Sequence, residues 1–404
     1  MIRRRTFSAA ALAAAAFPAR AMCPADSTQV VKVLAPSFAA WRVVTAKMQE
    51  CPNVQVELDL QYKEKQPAAM AARPALYQIA GVAINSLVPL LDDNSVRPLD
   101  ALVAKYGAQL DPIQLIRING KVMAIAMMVN IQHLMYRRDV LEELNLPVPA
   151  DYDQVLAACA AIRASGKVAF PMGGTYKTGW DLATEFVNLF FAYGGRFFAP
   201  DNRPTLAGEA GQKTLAMMQK LTTYMDPEYL TSDATFVQQQ FQRGRIAMAN
   251  LWSSRAAQVN DPKESTVSGR IAMAAAPAAV AGGKPATTIW WDGFAIAQNA
   301  PDAEAEAAFQ VALHGISEDM VRANNDLAVW LIRGFKPGPA AEGAIASAKA
   351  GAPTYPATTA MGLMQTALGN NLAGFFTGRE DAGRTLQRVE AAYTAAARER
   401  GILR

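Results

Sequence analysis

The chain predicts an α/β fold, with mostly parallel β-sheets carrying helices on both faces. Three observations lead there. Over the first hundred residues, short strand-like runs alternate with helical stripes, the β-α-β-α rhythm that yields parallel sheets. Phe294-Ala295-Ile296-Ala297 is wholly apolar, as suits a strand buried between two helical layers. A helix then opens at Asn299-Ala300-Pro301-Asp302, with proline at or near its first position and Asp302, Glu304 and Glu306 facing the positive dipole end. Along it, Ala305, Ala308, Phe309, Ala312, Leu313 and Ile316 recur as one buried stripe. With 404 residues, 51% of them hydrophobic, the chain is long enough for two domains.

The first 21 residues read as an export leader. Arg3-Arg4-Arg5 is a cationic head, Ala9 to Phe17 a short apolar run, and Ala19-Arg20-Ala21 an A-x-A cleavage site. The run is too short to span a bilayer. Arg4-Arg5-Thr6-Phe7 resembles the twin-arginine pattern, weakened by Ser8, so the export route stays open. The leader holds four arginines and no acid, so removing it takes Lys+Arg from 39 to 35, equal to Asp+Glu at 35. A neutral chain without a basic tract has no electrostatic footprint for nucleic acid.

Strands are predicted at Val30–Leu34, Val54–Leu60 and Ile79–Ile84, with a helix over Ala39–Glu50 and another from Val88. In such sheets ligands bind beyond the carboxyl ends of strands, where Asn85 and Ser86 fall. Gly120–Met128 is a strand that runs into Val129-Asn130-Ile131-Gln132, followed by a helix around Arg138–Leu144. Asp151, with Gln154 three residues on, forms a capping box for a helix through Ile162. Gly173 to Trp180 is a glycine-rich loop bearing Tyr176 and Trp180, and an amphipathic helix leads from it to Tyr193. Helices over Ala210–Tyr224 and Asp233–Gln242 precede strands at Arg245–Asn250 and Arg270–Ala276. Beyond Val329–Ile332 the chain is helical.

Cys23 precedes the first strand and Cys51 follows the first helix. A strand and an antiparallel helix bring the chain back to its starting end, so the two thiols can meet. In an oxidising compartment a Cys23–Cys51 disulfide contributes about 3–4 kcal/mol through loop-closure entropy. A lipid anchor on Cys23 is the alternative, against which Arg20-Ala21-Met22 makes a poor lipobox. Cys159 lies on one helical face with Val155, Ala158 and Ile162 and reads as a core thiol.

No cofactor or metal is implied. His133 and His314 are far apart and lack Cys or acid neighbours at ligand spacing. Gly282-Gly283-Lys284 lacks the spacing and the Ser/Thr of a phosphate loop, and no G-x-S-x-G elbow occurs. That pattern favours binding over catalysis. The tryptophans Trp41, Trp180, Trp252, Trp290, Trp291 and Trp330, with Tyr176, sit at or near predicted element ends. Sugars offer C–H faces to aromatic planes and hydroxyl edges to Asn, Asp and Ser, so such a set fits a carbohydrate cleft; core packing fits each residue singly. In Trp290-Trp291-Asp292-Gly293, Trp291 and Asp292 are expected to face the cleft with Trp290 packed behind.

The order of segments resembles the extracellular solute-binding proteins of ABC importers, in the sugar-binding family that includes maltose-binding protein. The likeness covers nearly the whole chain after the leader. It rests on Asn53-Val54-Gln55-Val56-Glu57, Arg97-Pro98-Leu99-Asp100, Met135-Tyr136-Arg137-Arg138-Asp139-Val140-Leu141, Tyr193-Gly194-Gly195, the segment Phe241 to Met248, and Phe294 to Phe309. The resemblance implies a two-lobed periplasmic binding protein fold of type II with a three-pass hinge near Val129–Ile131, Trp291–Gly293 and Ala328–Phe335. Lobe 1 then takes residues 22–129 and 293–330, and lobe 2 takes 130–292 and 331–404. Asn85, Ser86, Asn130, Tyr176 and Trp252 match the family's ligand positions; with Trp41, Trp180, Arg255, Trp291, Asp292 and Trp330 they form the candidate site. Two departures stand out: Pro74-Ala75-Leu76-Tyr77-Gln78-Ile79 replaces the family's "PDV" segment, and Ala360–Met364 has no stacking aromatic.

The implied function is a monomeric, non-enzymatic periplasmic receptor that passes a carbohydrate or polyol to the transmembrane subunits of an ABC permease. One alternative is an acidic sugar or other anion held by Arg255 and Lys177. Another is an exported carbohydrate-active enzyme, which requires a carboxylate pair across the cleft.

Overall fold

The structure is a computed structural model that describes residues 23–24 and 28–404; the leader reading lies outside the described residues. Ten strands are present among them: β1 (Val31–Pro36), β2 (Val54–Asp59), β3 (Ile79–Ala83), β4 (Leu115–Ile118), β5 (Lys121–Arg137), β6 (Phe170–Gly173), β7 (Ile246–Trp252), β8 (Ile271–Ala274), β9 (Ile289–Ile296) and β10 (Val329–Trp330). Their order is β2-β1-β3-β9-β5-β7-β6, with β4, β8 and β10 also paired to β5. The order divides at β5. Its first part pairs with β4, β9 and β10, and its last part with β7 and β8.

Both sheets are mixed, which corrects the mostly parallel reading. β1 is parallel to β2 and β3, and β6 to β7, but β3 runs antiparallel to β9 and every partner of β5 opposes it. Helical crossovers place strands parallel. β5 and β9 are instead the strands that carry the chain from one sheet to the other, and no crossover joins them to their neighbours. β5 shows this in its own burial: of its 17 residues, two buried stretches flank half-buried Val129 and Asn130.

Each sheet has its own large core, and a smaller third one around Phe241, Leu251 and Ile271 packs on the second sheet. The first gathers Val33, Ile79, Val82, Ile125, Phe294, Ile296 and Phe309 with the helices Ala39–Met48 and Asp302–Gly315. The six stripe residues from Ala305 to Ile316 are all buried, and Ala307 and Val311 join them, so this helix is enclosed on more than one face. It lies so close to the first helix that a Cβ on Gly315 would come within 2.6 Å of Met48. Gly293 has a similar reason: a Cβ there would sit 2.0 Å from the Ile125 carbonyl, beside the register shift between Ala126 and Met128. The second core is rich in rings, among them Phe186, Phe190, Phe197, Trp252, Trp290, Tyr355 and Tyr393. Trp291 packs against both cores.

Cys23 and Cys51 are joined in a disulfide with Cα atoms 5.3 Å apart. Cys159 is buried, and burial pushes its thiol up to about 12. His133 is buried and pushed down to about 4, with Gly343 packed over its ring. His314 faces Glu50 at 3.3 Å. A helix the sequence reading lacks, Tyr62–Ala71, follows β2 with Pro67 inside it and no continuous apolar stripe.

Candidate functional site

Three indoles meet at the carboxyl end of β7. Trp252 is its last residue, Trp290 is the second of β9, and Trp180 is the first of the helix Trp180–Ala192. Trp180 stacks on Trp252 with ring centres 6.0 Å apart, and its edge meets Trp290 at 5.5 Å. Trp252 meets Trp290 at 5.7 Å and 89°, and Trp290 lies 4.1 Å from the Tyr355 ring. Offset and edge-on pairs of this kind add to the burial of the rings themselves.

Polar groups reach this cluster from the first sheet. The Lys63 ammonium, on the helix after β2, stands 4.2 Å from the centre of the Trp180 ring. Burial brings that ammonium down to about 8, against the opposing pull of Asp292 and Asp181. Asp292 is 5% exposed. Burial raises its carboxyl to about 7, although Lys63 and a hydrogen bond from Asn130 act to lower it. Asp181 is likewise raised to about 7, by burial and then by Asp233.

Asn130 links the two sheets. Its Oδ1 accepts from the Ser253 hydroxyl at 3.2 Å and the Ser254 amide at 3.3 Å. Ser86 accepts from the Ala83 amide at 2.9 Å and bonds to the Tyr62 hydroxyl, whose titration burial drives upward. Two buried polar atoms here, Asn85 Oδ1 and Trp180 Nε1, have no protein partner. The arrangement offers aromatic planes, a buried carboxylate, an ammonium, and a free acceptor and donor, which is equipment for binding hydroxyl groups.

The structure brings together Asn130, Trp180, Trp252 and Asp292, with Asn85 and Ser86 at the end of β3. It separates the others. Trp41 is wholly buried against β3 at Gly81, and Trp330 is buried with its Nε1 donating to the Asn324 carbonyl at 3.0 Å. Both join the first core because they fall on inward faces of short elements. Tyr176 packs instead with Tyr229 and Phe376, at 6.3 and 5.9 Å. Trp290 is 3% exposed, whereas Trp291 is half-buried and touches both cores. Side chains alternate along a strand, so Trp290 shares the face of Asp292, and Trp290 is the indole in the cluster. Arg255 is held by Gln238 at 3.0 Å and Thr235 at 3.3 Å, and Lys177 faces Asp233 at 3.5 Å.

Tyr62 and Lys63 are the residues sequence reasoning missed. Their one signal was position, since they directly follow the carboxyl end of β2.

The family model for bacterial extracellular solute-binding proteins matches residues 33–313. A probable amino-acid ABC transporter periplasmic-binding protein of Sinorhizobium fredii is 23% identical over 167 residues, which is 40% of this chain and 38% of that protein. An ABC transporter solute-binding protein of Agrobacterium radiobacter in complex with ribitol superposes with TM-score 0.81 at 19% identity, covering 91% of this chain and 99% of its own. The corresponding values for a solute-binding protein of Agrobacterium vitis with bound D-mannitol are 0.77, 18%, 92% and 99%. For a maltose-bound protein of T. maritima they are 0.76, 16%, 91% and 99%. These likenesses concern the fold, which is the two-lobed α/β architecture. With the family model matched across both sheets, the chain belongs to the bacterial extracellular solute-binding proteins.

Proposed function

We propose that the chain is a periplasmic receptor that holds a neutral polyol or carbohydrate between its lobes and delivers it to an ABC permease. The observation that carries this reading is the convergence of Trp180, Trp252 and Trp290 with buried Asp292 and the unpartnered Asn85 Oδ1. Rings take the C–H faces of a polyol, while carboxylate and amide take its hydroxyls. Similar proteins with bound ribitol, D-mannitol and maltose support it. Lobe 1 takes residues 22–129 and 293–330, lobe 2 takes 130–292 and 331–404, and residues 1–21 are a cleaved leader. The protein acts as a monomer and without chemistry on its ligand, by closure of the lobes. No described helix is long and apolar enough to cross a membrane.

The neutral ligand is favoured over an anion because Arg255 and Lys177 already face partners within the protein. A thermal-shift screen over polyols, sugars and sugar acids tests the choice, since a ligand of the native state raises Tm. A neutral polyol or sugar should give the largest rise; a rise with sugar acids alone would overturn the reading. With that ligand, Trp290→Ala should cost roughly 2 kcal/mol or more in calorimetry.

A further inference from the structure

Behind the aromatic cluster lies a line of buried polar side chains. Trp290 Nε1 bonds Thr288 Oγ1 at 2.8 Å, and Thr288 Oγ1 bonds Asn188 Oδ1 at 2.7 Å. Asn188 Nδ2 bonds Gln132 Oε1 at 2.6 Å, and Gln132 Nε2 bonds Glu185 Oε1 at 3.0 Å. The Thr175 hydroxyl also donates to Glu185 Oε1. Trp290, Thr288, Asn188 and Gln132 are at most 3% exposed, and Glu185 is 9% exposed.

Each bond has a direction. An indole nitrogen can only donate, so the Thr288 oxygen accepts from Trp290, and its hydroxyl donates to Asn188 Oδ1. That makes the Asn188 amide nitrogen the donor to Gln132, and the Gln132 amide nitrogen the donor to Glu185. An ionised carboxylate can only accept. The chain is pinned at its Trp290 end by a group that never accepts, and at its far end the Glu185 oxygen accepts from both Gln132 and Thr175. Successive bonds aligned in this way polarise and strengthen one another in a dry interior.

We propose that Glu185 is a positioning residue for the binding cluster, holding the Trp290 indole in place through Gln132, Asn188 and Thr288. Topology gives it that reach. Glu185 and Asn188 are three apart on the helix that begins with Trp180, so they share a face. Gln132 lies two residues beyond Asn130 on β5, on the same face of the strand. One helix thus supplies both a ring of the cluster and the groups behind its neighbour, and β5 ties those groups to the residue bonded to Asp292. The positioning of Trp290 stands on the hydrogen bonds alone; its effect on binding rests on the polyol reading.

The test follows the indole N–H resonance of Trp290 in the 15N-labelled chain, identified by its loss in Trp290→Phe. Glu185→Leu and Thr288→Val should each move that resonance and speed its hydrogen exchange. Glu185→Gln keeps an acceptor oxygen for Gln132 and should restore both towards native. Should Glu185→Leu not fold, Gln132→Leu cuts the same chain at its middle. In parallel, calorimetry with ribitol should show a loss of between about twofold and thirtyfold in Glu185→Leu, the range for residues acting through others. A resonance moved by Thr288→Val but by neither Glu185→Leu nor Gln132→Leu would overturn the proposal. If the resonance moves but the native chain binds no tested polyol, the positioning role stands and the polyol reading falls.

Discussion

The two larger cores of this molecule are built differently. The first is mainly aliphatic, with Val, Ile, Leu, Ala and Met around Trp41, Phe294, Phe309 and Trp330, and it is clamped at one end by Cys23–Cys51. The second carries many rings and a line of buried polar groups. Their contributions to the site differ in the same way. From the first sheet come single polar groups on segments following strands, namely Asn85, Ser86, Tyr62 and Lys63. From the second come indoles that are members of its core. A hydroxyl-recognising group can be delivered by a loop, but an aromatic wall keeps its geometry only when the rings are packed from behind. The first sheet is thus a scaffold with polar tips, while in the second the scaffold and the binding wall are one.

That contrast can be broken most forcefully at Phe309. Its side chain is fully buried in the first core, so Phe309→Ala should cost about 3–5 kcal/mol in unfolding free energy. In conditions where the variant stays folded, its ligand affinity should be that of the native chain. A fall in affinity comparable to that of Trp290→Ala would show that the two cores are not separable. A smaller effect is expected at the clamp. The disulfide spans 28 residues of sequence separation, and replacing both cysteines with serine should lower stability by about 3–4 kcal/mol by loop-closure entropy. Chemical denaturation measures it, and again affinity should hold.

The same contrast governs how much was legible in the sequence. The scaffold read well: the stripe from Ala305 to Ile316, the Asp151 cap, which accepts from the Gln154 amide at 2.9 Å, and the Cys23–Cys51 pairing all follow from local periodicity or chain reversal. The site read in part. Trp252 ends β7 and Trp180 begins a helix, while Asn130 and Asp292 lie within β5 and β9 where these strands pass between the two sheets. Trp41 and Trp330 also sit near element ends, yet they point inward, and proximity to a strand end says nothing about rotation. Alternation sets residues 290 and 292 on one face, so Asp292 goes with Trp290 and not with Trp291. Lys63 was hidden because its helix has a proline and no continuous stripe, so no periodicity marked it.

The smallest effect, and the most particular to the site, is electrostatic. Asp292 lies buried where the two sheets meet, and its carboxyl is raised to about 7 because burial outweighs Lys63 and Asn130. An unfolded aspartate titrates at about 4. Between those values the folded chain holds a proton that the unfolded chain has lost, so stability from this group is complete below about pH 4 and declines as pH rises to about 7. Asp181 and Glu185, both raised to about 7, slope the same way. Lys63, brought down to about 8, slopes oppositely, recovering stability above that pH as the unfolded lysine alone stays charged. The lowered carboxyls of Glu57 and Asp319 act at lower pH. Between pH 5 and 7, roughly the window left to the buried acids, Asp292→Asn should therefore flatten the fall in unfolding free energy. A slope identical to the native chain's would mean that Asp292 is ionised throughout that window, paired with Lys63 strongly enough to offset its burial.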